Sequence, residues 1–412
     1  MAITILKDKN IILGVTGSIA CYKAVDLASK LTQAGALVDV VMTVAAQKFV
    51  APVTFQAVTG RPVYTSMWNT AGDALPTHIA HVGLGENADL FVIAPITAHT
   101  IARLVQGLAD DLLAVTALAA RCRLMIAPAM DGGMYSHPAT QFNIKILQSR
   151  GVVLVPPDEG RFASGLVGKG RLPDTYTLIG KIRKTLGAGG VFSGKKVVIS
   201  AGGTRESIDP VRYITNHSSG KQGYSLAQAA LDAGAREVVL VSAARGLPIP
   251  IGANFVAVDT AESMLDAVST HSVDADLLVM AAAVADFRPE MVAGQKIKKH
   301  SGEGQMSLQL IRTKDILLEI KKQRDKSGFP RIVVGFAAES ENLLDNARAK
   351  LENKGLDLMI ANDITAPDAG FRSDSNRVII LDKDGRQQSL ELAHKSRIAE
   401  KIILHCADLL KS

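Results

Sequence analysis

A chain of 412 residues with 47% hydrophobic and 21% charged residues has the balance of a soluble globular protein, with length for two or three domains that each bury a core. Its net charge of +6 suits anionic ligands; nucleic acid is disfavoured because aromatics are only 4% and no basic block exceeds a few residues. Cys21, Cys122 and Cys406 stand in no metal-binding spacing, residues 1–10 carry no signal core, and the longest apolar run, 277–285, cannot span a bilayer; a cytoplasmic protein is expected.

Residues 11–15 read as a short β run, Thr16-Gly17-Ser18 as a turn, 19–34 as a helix ending at Gly35, and 37–42 as a second strand. This is a βαβ unit with a right-handed parallel crossover. Gly14-Val15-Thr16-Gly17-Ser18 falls short of G-x-G-x-x-G, no ribose-binding acid ends the second strand, and Asp39 lies within it. That predicts a mononucleotide phosphate at the helix N-terminus rather than a dinucleotide. A strand over 90–94 runs into Pro95-Ile96-Thr97-Ala98-His99-Thr100, and one over 123–127 into Pro128-Ala129-Met130-Asp131. Three strand ends thus carry small or polar residues, where parallel sheets bind ligands. His81 stands in a loop and suits proton transfer near neutral pH. Gly160, Gly165, Gly168 and Gly170, with Arg171, make a mobile flap. A helix over 175–186 closes the first domain, 1–186; residues 187–194, opening on Gly187-Ala188-Gly189-Gly190, read as a linker to a second domain, 195–412.

The second half repeats strand, glycine turn and helix, without enough shared residues for a sequence repeat. A strand over 196–200 leads through Gly202-Gly203 into a long polar insert, and a helix pattern follows over 224–233. Within the insert Asn216, His217, Ser218 and Ser219 supply donors, and Gly220 and Gly223 allow close backbone approach. Strands follow over 237–241 and 254–258, then a helix over 261–269 capped by Thr260. A buried strand over 277–282 ends in small residues, against which a ribose or base could lie, with Asp286 as an acceptor. Lys296-Ile297-Lys298-Lys299 alternates like a strand, and with a Gly302-Glu303-Gly304 turn and 307–311 it predicts a hairpin arm. Phe336 lies near the end of another strand, Lys350 and Lys354 share a helix face, and a last helix covers 395–410. Both halves are expected to be three-layer, Rossmann-like α/β domains with mostly parallel sheets.

On these motifs the chain resembles the bifunctional enzymes in which an FMN-dependent phosphopantothenoylcysteine decarboxylase, a flavodoxin-like half, precedes a phosphopantothenate–cysteine ligase. The turn from Gly14 to Ala20, Thr43, Thr97 to Thr100 and Pro128 to Asp131 carry the first resemblance; Asp209 to Gly223 and Lys296 to Lys299 carry the second. It implies FMN contacts from Gly17, Ser18, Ile19, Thr43, Thr97, Ala98, His99, Thr100 and Ala129, with His81, Asp131 and Ser164 as catalytic groups. In the ligase half it implies that Arg212, Asn216, His217, Ser218, Ser219 and Gly220 bind substrate, Asn216 holding an acyl-cytidylate. Ala282, Asp286, Lys296, Phe336, Lys350 and Lys354 would bind CTP, with Lys296 and Mg²⁺ on the phosphates; the metal's protein ligands stay unassigned. The implied reactions join 4′-phosphopantothenate to cysteine, then decarboxylate the product to 4′-phosphopantetheine. The implied assembly is a homo-oligomer with trimeric decarboxylase and dimeric ligase contacts, up to a dodecamer. There are two departures: Asp131 replaces an asparagine and Ser164 a cysteine. They compensate if a protonated Asp131 relays its proton through Ser164; otherwise the flavin half is altered or incomplete. Two rivals remain: a dinucleotide-dependent oxidoreductase, against which the missing ribose acid argues, and a non-catalytic nucleotide- or RNA-binding protein, against which the low aromatic content argues.

Overall fold

The computed structural model describes residues 3–68, 80–161, 165–298, 306–339, 343–363 and 373–411. The chain divides into two units, Met1–Leu186 and Gly187–Ser412. The first contains, in order, β1 (Asn10–Val15), α1 (Cys21–Gln33), β2 (Leu37–Met42), α2 (Pro52–Thr59), β3 (Val63–Tyr64), α3 (Ala80–Asn87), β4 (Leu90–Ile96), α4 (Ala98–Gln106), α5 (Leu112–Ala119), β5 (Arg123–Pro128), α6 (Gly132–Ser136), α7 (Pro138–Ser149), β6 (Val153–Leu154), β7 (Asp158–Arg161), β8 (Val167–Arg171) and α8 (Thr175–Gly187). Its main sheet is parallel throughout, in the order β3-β2-β1-β4-β5-β6. β4 is buried along its whole length, as a strand covered on both faces must be. Two apolar cores lie on its faces. One gathers Ala24, Leu27, Ala28 and Leu31 of α1, spaced to form one helical stripe. The other gathers Ile101, Leu104 and Val105 of α4 with Leu112 and Leu113 of α5.

The second unit contains β9 (Lys196–Ala201), β10 (Arg205–Asp209), β11 (Arg212–Thr215), α9 (Lys221–Asp232), β12 (Glu237–Ser242), β13 (Asn254–Ala257), α10 (Ala261–His271), β14 (Leu277–Met280), β15 (Phe287–Pro289), β16 (Leu310–Arg312), α11 (Ile316–Ser327), β17 (Ile332–Glu339), α12 (Leu343–Lys354), β18 (Leu358–Asp363), β19 (Ser375–Asp382), β20 (Gln387–His394) and α13 (Lys395–Leu409). Its main sheet, among the described residues, runs β13-β12-β9-β14-β17-β18-β19-β20. The first six strands are parallel and the last two antiparallel. Taken in chain order, those six repeat the 3-2-1-4-5-6 arrangement of the first unit. Helices α9 and α13 pack on one face; α10, α11 and α12 pack on the other.

The structure corrects three expectations. The polar insert after β9 is not all loop: β10 and β11 form an antiparallel hairpin within it, and α9 begins at Lys221, earlier than the apolar pattern suggests. His81 lies in the first turn of α3 rather than in a loop. Glycines make that segment a poor intrinsic helix, but a Cβ on Gly85 would stand 3.0 Å from the Ala119 carbonyl carbon, so close packing on the end of α5 selects it. The described part of the lysine-rich segment, residues 296–298, is not a hairpin strand. The partner of β16 is β15, while Ala293 N–H donates to Ile208 O at 3.0 Å and draws the segment before Lys296 onto β10 instead. Residues 299–305, including the expected turn, lie outside the described residues.

Asp39 shows how a charge is accommodated inside a buried strand. Arg61 Nε and Nη2 donate to its two carboxylate oxygens at 2.9 and 3.0 Å. Arg61→Ala leaves that carboxylate uncompensated in a site 9% exposed, and the first unit is expected to lose about 2–3 kcal/mol, read as a lower urea midpoint.

Candidate active sites

In the first unit the turns after β1 and β4 are bonded to each other. Thr16 is buried; its N–H and Oγ1 both donate to Pro95 O, at 3.2 and 2.9 Å, and its Oγ1 accepts from Thr97 N–H at 3.0 Å. This joint sits where the chain reverses direction across the sheet, the place at which open α/β sheets leave a crevice. Helix α4 is capped by the Thr97 side chain. Helix α1 has Ala20 as its N-cap and no side-chain cap; Cys21 and Lys23 N–H donate to the Ser18 and Ala20 carbonyls, both at 3.0 Å, and the positive end of the helix dipole there suits an anion. The Gly17 turn is tight: a Cβ there would stand 2.4 Å from the Ala45 Cβ. Thr43 follows β2 beside it, its N–H donating to Val15 O at 3.1 Å. The turn after β5 joins the same edge through Ala129 N–H to Ile96 O, 3.1 Å, and is tied to the β7–β8 hairpin through Met130 N–H to Gly170 O, 3.0 Å. Asp131 Oδ1 accepts from Gly133 N–H at 2.9 Å and caps α6.

The second unit builds a matching joint. Ala282 N–H donates to Ser200 Oγ at 3.1 Å, Ala283 N–H to Gly202 O at 2.8 Å, and Ala285 N–H to Thr204 Oγ1 at 2.9 Å. Again the helix after the first strand lacks a side-chain cap: Gly220 is the N-cap of α9, with φ 74°. A Cβ on Gly220 would stand 2.5 Å from the Ala244 Cβ, so space as well as backbone conformation requires glycine. Beside this joint opens a cleft of about 900 Å³. Asn216, His217, Ser218, Ala282, Asp286, Phe336, Lys350 and Lys354 line it. Asn216 is held by its Nδ2 donating to Val284 O at 2.9 Å, and Lys354 pairs with Asp315 at 3.0 Å. A smaller cleft of about 370 Å³ shares Asn216, His217 and Ser218 and adds Ser219.

Comparison with known proteins gives these two sites a family. Residues 4–187 match the flavoprotein family, and residues 192–409 match the DNA/pantothenate metabolism flavoprotein C-terminal domain. The chain is 44% identical over 409 residues to the coenzyme A biosynthesis bifunctional protein CoaBC of Bacillus subtilis, covering 98% of each. This chain belongs to the CoaBC family. The CoaBC protein of Mycolicibacterium smegmatis is 42% identical over 414 residues, again covering 98% of each chain. Among solved structures, the C-terminal domain of a CoaBC protein is similar at 37% identity and TM-score 0.45, over 54% of this chain and 98% of that one. A PPC decarboxylase variant complexed with pantothenoylaminoethenethiol is similar at 29% identity and TM-score 0.38, over 43% and 97%. CoaBC proteins are bifunctional enzymes of coenzyme A biosynthesis, a flavoprotein decarboxylase domain followed by a ligase domain.

Within this CoaBC-family chain, the expected flavin contacts Gly17, Ser18, Thr43, Thr97, Ala98, Thr100 and Ala129 gather at the carboxyl edge of one sheet. Ile19 and His99 are exposed there. His81 opens α3, which runs to the start of β4; the following turn of that helix, Gly83 and Leu84, borders a cavity with Asn10 and Ile11 at the start of β1. Ser164, expected on the flap, lies outside the described residues, as does Lys299. In the second unit the structure adds lining residues that the sequence did not single out as site residues: Gln222, Asn376 and Lys395. Lys395 had a local signal. It is the first residue of α13, where the helix dipole disfavours a cation.

Arg212 and Lys296, both expected at the site, stand outside the described lining of the two clefts. The structure gives Arg212 another task. Its Nη2 donates to Ile297 O at 2.6 Å and to Asp209 Oδ2 at 2.8 Å. Asp209 also accepts from the N–H groups of Val211, Arg212 and Ile297, at 2.9, 2.9 and 3.2 Å. One buried carboxylate thus pins both the β10–β11 turn and the segment that carries Lys296. Burial acts to raise its pKa, but the backbone donors of Val211 and Ile297, with the Arg212 charge and N–H, outweigh it and hold the carboxyl below the usual range. A folded-state value lowered in this way stabilises the latch above the unfolded value of about 4 and loses that contribution only as pH falls through the folded value.

Two outcomes follow from the geometry. Gly17→Val is expected to drive the turn off Ala45 and cost the purified chain its flavin absorbance, with the second unit's unfolding transition unchanged. Asp209→Asn is expected to release the Lys296 segment. Limited proteolysis should then cut near residues 293–298 at least about 10-fold faster at neutral pH, where the wild-type latch is fully formed.

Proposed function

We propose that the second unit joins 4′-phosphopantothenate to cysteine with CTP, and that the first decarboxylates the product to 4′-phosphopantetheine with FMN. One observation carries the reading. Each unit sets an uncapped helix N-terminus and a glycine turn at its strand-order reversal, so one chain holds two separate phosphate seats. Their surroundings differ in chemistry: the first has Asp131 after β5, the second a lysine-bearing cleft.

In the ligase half, Asn216, His217 and Ser218 are donors to an acyl-cytidylate formed as the substrate carboxylate displaces pyrophosphate. Lys350 and Lys354 draw in the nucleotide, Phe336 and Ala282 give its base and ribose an apolar wall, and Lys296 neutralises the departing pyrophosphate. Cysteine then displaces CMP. Mg²⁺ fits as a companion of the phosphates: Asp286 lines the cleft and offers one of the one or two carboxylates that such a site needs.

In the decarboxylase half, the first turn of α1 and Ser18 hold the FMN phosphate, and Thr43, Thr97 and Thr100 border the cofactor. FMN, when bound, supplies the two-electron oxidation of the substrate thiol and its later reversal. His81 moves a proton at the substrate, and Asp131 and Ser164 relay one to the enethiol. Ile19, Tyr22, Val44 and Phe49 are exposed near this seat. Such an apolar rim suits burial against further copies of the chain, and a cytoplasmic homo-oligomer, trimeric through this half and dimeric through the other, completes the reading.

The test is direct. Purified protein given phosphopantothenate, cysteine, CTP and Mg²⁺ should form CMP, pyrophosphate and 4′-phosphopantetheine, identified by mass, and should release FMN on denaturation. Asn216→Ala is expected to lower ligation at least about 100-fold, while supplied phosphopantothenoylcysteine is still decarboxylated. Equal loss of both activities would refute two independent sites.

A further inference from the structure

Lys395 is 5% exposed yet lines the large cleft. Its position is costly twice over. An ammonium loses hydration on burial, and the first turn of a 15-residue helix opposes positive charge. A second lysine stands in the same relation to α9: Lys221 is that helix's first residue. The two helices pack side by side on one face of the sheet. Asp374 lies between the lysines, with its carboxylate 2.6 Å from Lys221 Nζ and its backbone carbonyl accepting from Lys395 N–H at 2.9 Å. Lys395 Nζ donates to Ser373 O at 2.6 Å. Gln222 stands in the same wall, its Nε2 donating to Lys395 O at 3.5 Å, and Asn376 completes the wall from β19. Positive charge and helix N-termini therefore converge on this end of the cleft. The opposite sheet face sends in Lys350 and Lys354.

We propose that Lys395 is a phosphate-binding residue of this cleft, holding an anionic phosphate against the adjoining N-terminus of α9. The assignment rests on the ligase reading above and deepens it. Two ligands carry the required group: the polyphosphate of the nucleotide and the phosphomonoester of the pantothenate substrate. Burial first, and then the Lys221 charge, push the Lys395 ammonium below the ordinary lysine range, with Asp374 offsetting part of this. The negative charge of a bound phosphate would oppose both effects.

The experiment is calorimetric titration of the full-length protein and of Lys395→Met, Lys395→Arg and Gln222→Glu with CTP, CMP, inorganic pyrophosphate and phosphopantothenate. Lys395→Met removes one charge-assisted hydrogen bond and weakens the ligand it holds about 10- to 100-fold. If the polyphosphate is held, CTP and pyrophosphate weaken while CMP and phosphopantothenate do not. If the phosphomonoester is held, phosphopantothenate alone weakens. Lys395→Arg should recover most of the affinity. Gln222→Glu, which places a negative charge in the same wall, should weaken the same ligand as Lys395→Met. Affinities within two-fold of wild type in both Lys395→Met and Gln222→Glu overturn the proposal, as does an equal loss for all four ligands. Wild-type protein that binds neither CTP nor phosphopantothenate overturns the ligase reading instead. Melting temperatures of all variants separate misfolding from weakened phosphate binding; if Lys395→Met fails to fold, Lys395→Arg and Gln222→Glu decide.

Discussion

The joint between the first and fourth strands of each sheet is the constraint on which both sites depend. In the first unit a single buried threonine, Thr16, makes it. In the second, Ser200, Gly202 and Thr204 share the task, receiving N–H groups from Ala282, Ala283 and Ala285. Strands on either side of this point connect in opposite directions, so their following helices lie on opposite faces and a crevice is left between them. The hydrogen bonds across the joint fix the width of that crevice. They also satisfy backbone groups that would otherwise be stranded in the interior.

What the joints leave open is as informative as what they close. Thr97, Asp111, Thr260 and Asp315 cap α4, α5, α10 and α11 with side-chain acceptors. Helices α1, α2 and α9 have none; α2 starts instead with a proline, whose missing N–H needs no cap, which leaves α1 and α9. These are the helices that follow the first strand of each sheet, and their N-termini face the crevice. A phosphate oxygen can take the part of the absent cap, with the helix dipole adding to its affinity. The same geometry thus serves two different chemistries, set apart by the side chains around it.

Buried charge recurs around these sites, each time satisfied differently. Asp39 is met by both arms of Arg61. Asp209 is met by three backbone N–H groups and a guanidinium, and uses that satisfaction to bind a neighbouring segment rather than a ligand. Lys395 has a lowered pKa at the edge of a cleft. A buried charge that is fully satisfied within the protein is part of the scaffold. One that is buried, shifted and bordering open volume is a candidate for ligand binding. That distinction separates Asp209, which Arg212 and three N–H groups satisfy, from Lys395, which no motif singled out.

The sequence by itself determined most of the elements and most of the chemistry. Helices and buried strands impose their periods of 3.6 and 2 through local sterics, so β1, α1 and β2, the Thr260 cap and the buried β14 could be read from a few residues each. The glycine turns and the dense donor run Asn216 to Ser219 pointed to phosphate seats for equally local reasons. Tertiary structure decided what depends on distant partners. The shared 3-2-1-4-5-6 order of the two units leaves no mark on residue identity, because any strand apolar on both faces can occupy a central position. The helix at His81 depends on Gly85 meeting the end of α5, and the partner of β16 is β15 rather than the nearer lysine run. The role of Arg212 and the presence of Lys395 in the cleft depend on contacts spanning tens to hundreds of residues, for which spacing along the chain carries no signal.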